Sequence, residues 1–397
     1  WMMADASYKA QPFWWDDLRP DAFRSTAGIE DLPGRCDVLI AGAGYSGMTA
    51  ALTLARAGRS VVVADANRIA FGCSARNGGL IGPSFHKLGL SGLRAAYGAA
   101  KARDILRESM DTLAYLREFI RSEKIDCDLN DGGRFRGAVR REHYDSMARE
   151  AEALQGEVGL RFETVSKADQ RSECGSDYFH GGIVYPDDGY LQPAKYAAGL
   201  AERARQAGVR FFAPAPVSDI RRNGRGFSAR VGGRQIDAEQ VLVATNGYTG
   251  KELPFFRRRI IPARSAIIAT EELPGDVAAS LSPKGRGLGD SSRLLVYMRM
   301  SSDNRRLIFG GRNFKLEDRP DIYVPDLRRL ALRIFPQLGN FRVSHGWSGT
   351  VGFTFDYAPH IGQHDGVHYV MGFCGSGVGR ASYYGRMAAL QMAGDPA

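Results

Sequence analysis

Apolar positions along the chain fall into short buried-strand runs and longer helical stripes, and their order outlines the fold. Residues 37–40 read as a short apolar strand, followed at once by Gly42-Ala43-Gly44-Tyr45-Ser46-Gly47. Residues 48–57 are rich in Ala and Leu and predict a helix stopping near Gly58; residues 60–64 predict a second buried strand ending in Asp65. This is a β-α-β unit whose Gly-rich turn opens the helix. Leu106, Met110, Leu113 and Leu116 recur at helical spacing within 94–121, and 143–156 and 192–207 predict further helices. Residues 126–141 alternate enough to predict strands. A strand is expected over 209–213, then three more over 217–222, 226–231 and 235–244, turning at Asn223-Gly224 and Gly232-Gly233.

From about 251 to 335 the pattern changes. Residues 260–269, 294–299 and 307–311 predict strands joined by polar loops, and 326–335 a short helix, which favours an antiparallel sheet over more β-α-β units. The chain closes with a strand over 367–372, a Gly-rich turn over 373–379 and a helix over 380–393. The expected fold is α/β: a dinucleotide-binding domain (36–90, 180–250 and 336–397) interleaved with an antiparallel-sheet α+β substrate domain (91–179 and 251–335). Residues 1–35 form an amino-terminal arm. A length of 397 residues fits two cores better than one.

Composition narrows the class. Apolar residues make up 44% and charged residues 24%, ordinary for a globular protein. No membrane span is expected. Trp14, Trp15, Asp16, Asp17 and Arg19 stand where a secretory signal would need an apolar core. Five widely spaced cysteines offer neither a disulfide framework nor zinc spacing, so no metal site and a reducing cytoplasm are expected. The formal charge of +9 is spread along the chain, which argues against nucleic acid as a partner. A pocket favouring a carboxylate substrate is one reading of the excess charge; a solvated surface is the other.

The first chemical signal is the Gly42–Gly47 turn. Gly42 permits the tight bend, Gly44 lets backbone approach a pyrophosphate, and Gly47 allows helix and strand to close together. The helix amino terminus offers N–H groups and a positive dipole end to phosphates. Asp65, with Ala66 after it, can accept both ribose hydroxyls of an adenosine. Two later segments point to FAD rather than NAD. Phe71-Gly72-Cys73-Ser74-Ala75-Arg76-Asn77-Gly78-Gly79 is long enough to pass beneath an isoalloxazine ring. Gly375, Ser376, Gly377 and Val378 lie in a turn that can aim a helix amino terminus at the pyrimidine edge of a reduced flavin. Either segment can also be an ordinary loop.

These pieces resemble the FAD-dependent amine and D-amino acid oxidase superfamily, and within it the gamma-glutamylputrescine oxidase-like branch. The resemblance spans nearly the whole chain. It rests on the Gly42–Gly47 fingerprint with Asp65, SARNGG at 74–79, VLVATNG at 241–247, RLIFGGR at 306–312, DYAPHIG at 356–362, the 372–379 turn and PFWWD at 12–16. It implies a glutathione-reductase-like Rossmann domain. Gly42, Gly44, Tyr45, Ser46 and Gly47 would meet the pyrophosphate, Asp65 and Ala66 the ribose, and Val217 the adenine. Ser74, Ala75, Arg76, Asn77, Gly78 and Gly79 would line the flavin, Thr245, Asn246 and Gly247 would close the nucleotide site, and Gly375 to Val378 would face the pyrimidine. Some members attach FAD covalently; Cys73 lies in that neighbourhood, but non-covalent FAD is expected. Simple sarcosine-type oxidases place a lysine near N5, and the corresponding stretch 307–310 has none.

The implied reaction is oxidation of an amine C–N bond. Hydride passes to flavin N5, the imine hydrolyses, and O2 is reduced to H2O2. The substrate is a primary or secondary amine, gamma-glutamylputrescine-like or an N-substituted amino acid. The competing reading within redox chemistry is a D-amino acid or N-substituted amino acid dehydrogenase using a quinone. From another class comes a non-catalytic or RNA-associated FAD protein. His345, Trp347, Tyr297, Arg299 and Tyr357 are the candidate substrate-facing residues. Tyr297 and Arg299 share a strand face and can bind a polar tail. Trp347 can wall the pocket or pack the core, and His345 can act or merely be hydrogen-bonded. Tyr248, His86 and Lys87 are further candidates. Oligomeric state is not legible.

Overall fold

In the computed structural model, which describes residues 8–293, 295–313 and 318–394, Arg35–Ala41 and Val61–Ala64 pair in parallel with helix Tyr45–Arg56 between them. Val38 through Ile40 are fully buried, as a parallel strand covered on both faces requires. The first sheet runs His360–His364, Val367–Met371, Arg234–Val243, Arg35–Ala41, Val61–Ala64, Arg210–Phe212, with the hairpin Val217–Asn223/Gly226–Val231 added to Arg234–Val243. Helices Tyr45–Arg56, Pro193–Gln206 and Gly377–Ala393 contribute to the core on one face; Phe227, Ile236 and Phe256 fill the other.

The second sheet runs Val343–Phe353, Ile261–Thr270, Leu307–Asn313, Tyr297–Met300, Gly287–Asp290, Arg134–Gly137, Gly182–Tyr185, Glu163–Val165. Every pairing is antiparallel except Gly287–Asp290 with Arg134–Gly137. Phe135, Ile268, Met298 and Phe309 turn to one face, against helix Pro320–Ile334. The opposite face looks toward the first domain.

Several expectations are corrected. Gly98, at φ +80°, splits the expected 94–121 helix into Gly89–Tyr97 and Ala99–Ser122, because that backbone cannot continue a right-handed helix. Only Arg134–Gly137 of the 126–141 region is a strand. The helix expected over 326–335 begins at Pro320 and contains Pro325; its buried stripe Tyr323, Val324, Leu327, Ala331, Ile334 outweighs one missing backbone bond. The strand Val343–Phe353 has no clear sequence signal, since Gly346, Gly349 and Gly352 dilute it. It and Gly182–Tyr185, both expected with the cofactor domain, pair into the second sheet. Leu294, first residue of an expected strand, and the first seven residues of the arm lie outside the described residues. Among the described residues no helix is long and apolar enough to cross a membrane.

Candidate active site

One continuous cavity of about 1240 Å³ starts at the first sheet's glycine turn and ends over the second sheet. At its start, Gly42 has φ +108°, and a Cβ there would lie 2.8 Å from the Ala244 carbonyl oxygen. A Cβ on Gly47 would fall 2.0 Å from the Gly42 carbonyl oxygen, so any side chain would break the turn. Gly42, Gly44, Tyr45 and Ser46 line the cavity; Gly47 stands behind them. Gly44, the helix N-cap, has no side chain to close the helix end, and Ser74 Oγ accepts the Tyr45 N–H at 3.0 Å.

Asp65 and Ala66 line the same region, with Val217 from the hairpin nearby. The Asp65 carboxylate accepts from the Ala43 N–H at 2.8 Å and the Asn67 N–H at 3.0 Å, bracing the turn against the strand end. Burial pushes its pKa up against those two donors, and ribose hydroxyls would add donors that favour the charged form. Thr245 and Asn246 line the cavity as well, and Asn246 Oδ1 takes the Gly372 N–H at 2.9 Å. Gly247 lies away from it against Thr350, where a Cβ would sit 2.6 Å from the carbonyl oxygen. Gly375, Ser376, Gly377 and Val378 border the cavity at the amino end of helix Gly377–Ala393.

The loop over 73–79 is held from behind by three indoles. Trp15 Nε1 donates to the Ala75 carbonyl at 3.0 Å, Trp347 Nε1 to that of Arg76 at 2.7 Å, and Trp14 Nε1 to that of Asn77 at 2.8 Å. Asn77 staples the loop internally: Nδ2 donates to the Cys73 carbonyl at 2.9 Å and Oδ1 accepts the Gly79 N–H at 2.8 Å. The Arg76 guanidinium donates to the Phe71 and Ser348 carbonyls. Ser74, Arg76, Asn77 and Gly78 face the cavity, whereas Ala75 and Gly79 are packed behind it. The Cys73 thiol donates to the Thr350 carbonyl at 3.0 Å, and burial pushes its pKa up to about 11.

The expected substrate residues divide. Tyr297 and Tyr357 line the cavity. Tyr297 packs under the loop so closely that a Cβ on Gly78 would be 2.7 Å from its ring, and its hydroxyl meets Ser265 Oγ at 2.8 Å. Burial raises the Tyr297 pKa to about 12, so the phenol stays protonated. His345, Trp347 and Arg299 do not line the cavity. His345 is buried between Ser344 and Asp16, both at 3.0 Å, and Trp347 is 2% exposed with its ring edge-on to Trp14. Arg299 is 1% exposed and donates to the Leu191 and Met300 carbonyls at 2.6 and 3.0 Å. Arg299 does share the Tyr297 face, but Gly79 and Leu191 cover that end of the strand.

Tyr248, His86 and Lys87 also border the cavity. His86 Nδ1 faces the Leu88 N–H and so must accept; Nε2 then donates to the Asp356 carbonyl at 2.8 Å, and neither nitrogen is left for a substrate proton. Sequence reasoning missed Arg134, Arg136, Tyr185, Asp188, Arg264 and Ser265, all along the cavity. A signal existed for two of them: Arg134 and Arg136 flank the buried Phe135 at strand spacing.

Comparison with known proteins agrees with this architecture. Residues 37–391 match the DAO family, described as FAD dependent oxidoreductase. Gamma-glutamylputrescine oxidoreductase of Escherichia coli is 32% identical over 365 residues, 91% of this chain and 84% of that protein. A probable oxidoreductase OrdL of Haemophilus influenzae is 31% identical over 364 residues, 90% of this chain and 83% of that protein. The crystal structure of glycine oxidase from Geobacillus kaustophilus superposes with a TM-score of 0.78 at 19% identity, covering 92% of this chain and 96% of that one. L-proline dehydrogenase from P. horikoshii gives 0.76 at 18% identity, over 92% and 95%. The glycine cradle, the Asp65 carboxylate and the clamped loop along one cavity suit FAD, and the chain belongs to the DAO family of FAD-dependent oxidoreductases.

Proposed function

We propose that the protein oxidises the C–N bond of a primary or secondary amine and passes the electrons to O2. The observation that carries this reading is the continuity of the cavity from the dinucleotide cradle to a floor made of second-sheet side chains. The names of the relatives, an amine oxidoreductase and an amino acid oxidase among them, support it. When bound there, FAD supplies the hydride acceptor: hydride leaves the carbon beside nitrogen, the nitrogen lone pair closes an imine that water hydrolyses, and O2 takes up two electrons and two protons as H2O2.

The protein's own share is placement. Tyr297, fixed by Ser265, sets the floor beneath Gly78, and the apolar Ile267 lies two strands away in the same row of the sheet. Orientation of this kind can supply about 7–11 kcal/mol of a barrier. Neither Tyr297 nor His86 is suited to take a proton near neutral pH, so the amine reacts in its neutral form after losing its proton to water. Cys73, its thiol engaged with Thr350, fits non-covalent FAD, and five unpaired cysteines fit the cytoplasm.

Anaerobic mixing of FAD-loaded protein with polyamine conjugates, N-alkyl amino acids and D-amino acids tests the reading. Bleaching of the flavin by at least one amine is expected, followed by H2O2 when air is admitted. No bleaching with any of the three classes would sink it. Bleaching without peroxide would favour the quinone-linked dehydrogenase. One observation supports that second reading: residues 307–310 offer no lysine, and the Tyr297 ring fills the space a side chain at Gly310 would need.

A further inference from the structure

We infer that Arg136 binds a carboxylate of the substrate, so that the amine taken up carries an acid group remote from the carbon that is oxidised. This deepens the amine-oxidation reading and rests on it. Directly paired residues of neighbouring strands share a sheet face, and Arg136, Gly289, Tyr297, Gly310 and Ile267 are paired in that order. They form one row along the cavity floor. Strands lie about 4.8 Å apart, which puts the Arg136 backbone roughly 10 Å from that of Tyr297.

The row is open between Arg136 and Tyr297. A Cβ on Gly289 would meet only the Val296 carbonyl oxygen, at 3.6 Å. Arg136 Nε donates to the Asp290 carbonyl at 3.2 Å, so the guanidinium leans across the neighbouring strand, in the direction of Tyr297. Among the described residues Arg136 makes no ion pair. Arg134, two residues earlier on the same face, is instead matched by the buried Asp188 at 2.7 Å. The helix Arg141–Val158 sends Arg149 and Glu150, one charge of each sign, to the rim, where both are exposed.

A half-buried guanidinium with an open lane in front of it, whose neighbouring Asp290 carboxylate is already taken by Ser292 and the Val296 N–H, is suited to receive a carboxylate from a ligand, two N–H donors to two oxygens. Tyr297 lies under Gly78, where the clamped loop meets the cavity. The span from there to Arg136 suits an acid group several bonds from the amine. An α-amino acid, whose two groups share one carbon, is too short for both ends. The role the sequence assigned to Arg299 passes to Arg136.

Two substrates separate this from a general structural effect: N-(4-aminobutyl)glutaramic acid and the corresponding primary amide, which lacks the charge. In FAD-loaded Arg136→Gln the KM for the acid should rise about 10–100-fold, as expected for losing a charge-assisted hydrogen bond, with kcat little changed. The amide should show the same KM in both proteins, and Arg136→Lys should recover part of the loss. An unchanged KM for the acid, or equal losses for acid and amide, overturns the inference. If neither compound bleaches the wild-type flavin, binding of glutarate, read as a shift in the flavin spectrum, decides the matter without turnover. Tighter binding to wild type than to Arg136→Gln keeps the anion site while the amine reading fails; equal or absent binding removes the site. Should Arg136→Gln not fold, the same acid-to-amide comparison in Arg136→Lys stands in its place.

Discussion

Trp14 donates its indole N–H to the carbonyl of Asn77, 2.8 Å away and 63 residues on in the chain. The arm is thereby built into the cofactor loop, and Trp14 is fully buried. Trp14→Phe keeps most of the ring packing but leaves the Asn77 carbonyl without that partner. It should cost about 1–3 kcal/mol of stability. Weaker FAD retention should follow, because Asn77 carries the Gly79 amide and the Cys73 carbonyl with it. Thermal unfolding with and without added FAD measures both; unchanged FAD affinity would reduce the clamp to a packing contact.

Acid should loosen the same arm. Burial holds the His345 pKa below its ordinary value; Asp16 pulls it up, and Lys9 and Arg306 push it down further. With the folded pKa depressed, unfolded chains take up the proton first, so this contribution is complete above about pH 6.5 and is lost as pH falls below it. Burial alone would raise Asp16, but hydrogen bonds from Lys9 and His345 hold it below its usual value, so its contribution goes at lower pH still, with the same sign. The melting temperature should drop from about pH 6.5 downward, and His345→Gln should flatten that first decline. A profile identical in the variant would assign the acid sensitivity elsewhere.

Gly289 should tolerate a methyl group and little more. Gly289→Ala has only ordinary contact to make, whereas Gly289→Leu places a side chain in the lane between Tyr297 and Arg136. Flavin content should be normal in both. The kcat/KM for an acidic amine should be near wild type in the first and lower by on the order of 100-fold in the second.

Arg299 should behave as a structural cation. Its guanidinium lies over the Tyr190 ring at 4.1 Å as well as between two carbonyls, and burial lowers its pKa to about 10. Arg299→Met should cost about 2–4 kcal/mol by stranding those acceptors, with the KM for carboxylate-bearing amines unchanged in folded protein. A selective rise in that KM would return Arg299 to the substrate.

Local chemistry made the cofactor end readable from sequence. The tight turn needs glycine at Gly42, the helix approach needs it at Gly47, and Asp65 follows its strand directly, so all three requirements sit within one short stretch of chain. The alternation that put Tyr297 and Arg299 on one face was equally local, and the structure keeps it. What alternation does not contain is how far the neighbouring domain extends over that face. Gly79 and Leu191 cover Arg299 while Arg136 lines the cavity, and the arm's indoles reach a loop some sixty residues away in the chain. Contacts between residues a hundred or more positions apart decide which polar side chains are left open to a ligand. A one-dimensional pattern records each residue's neighbours in the chain and not those partners.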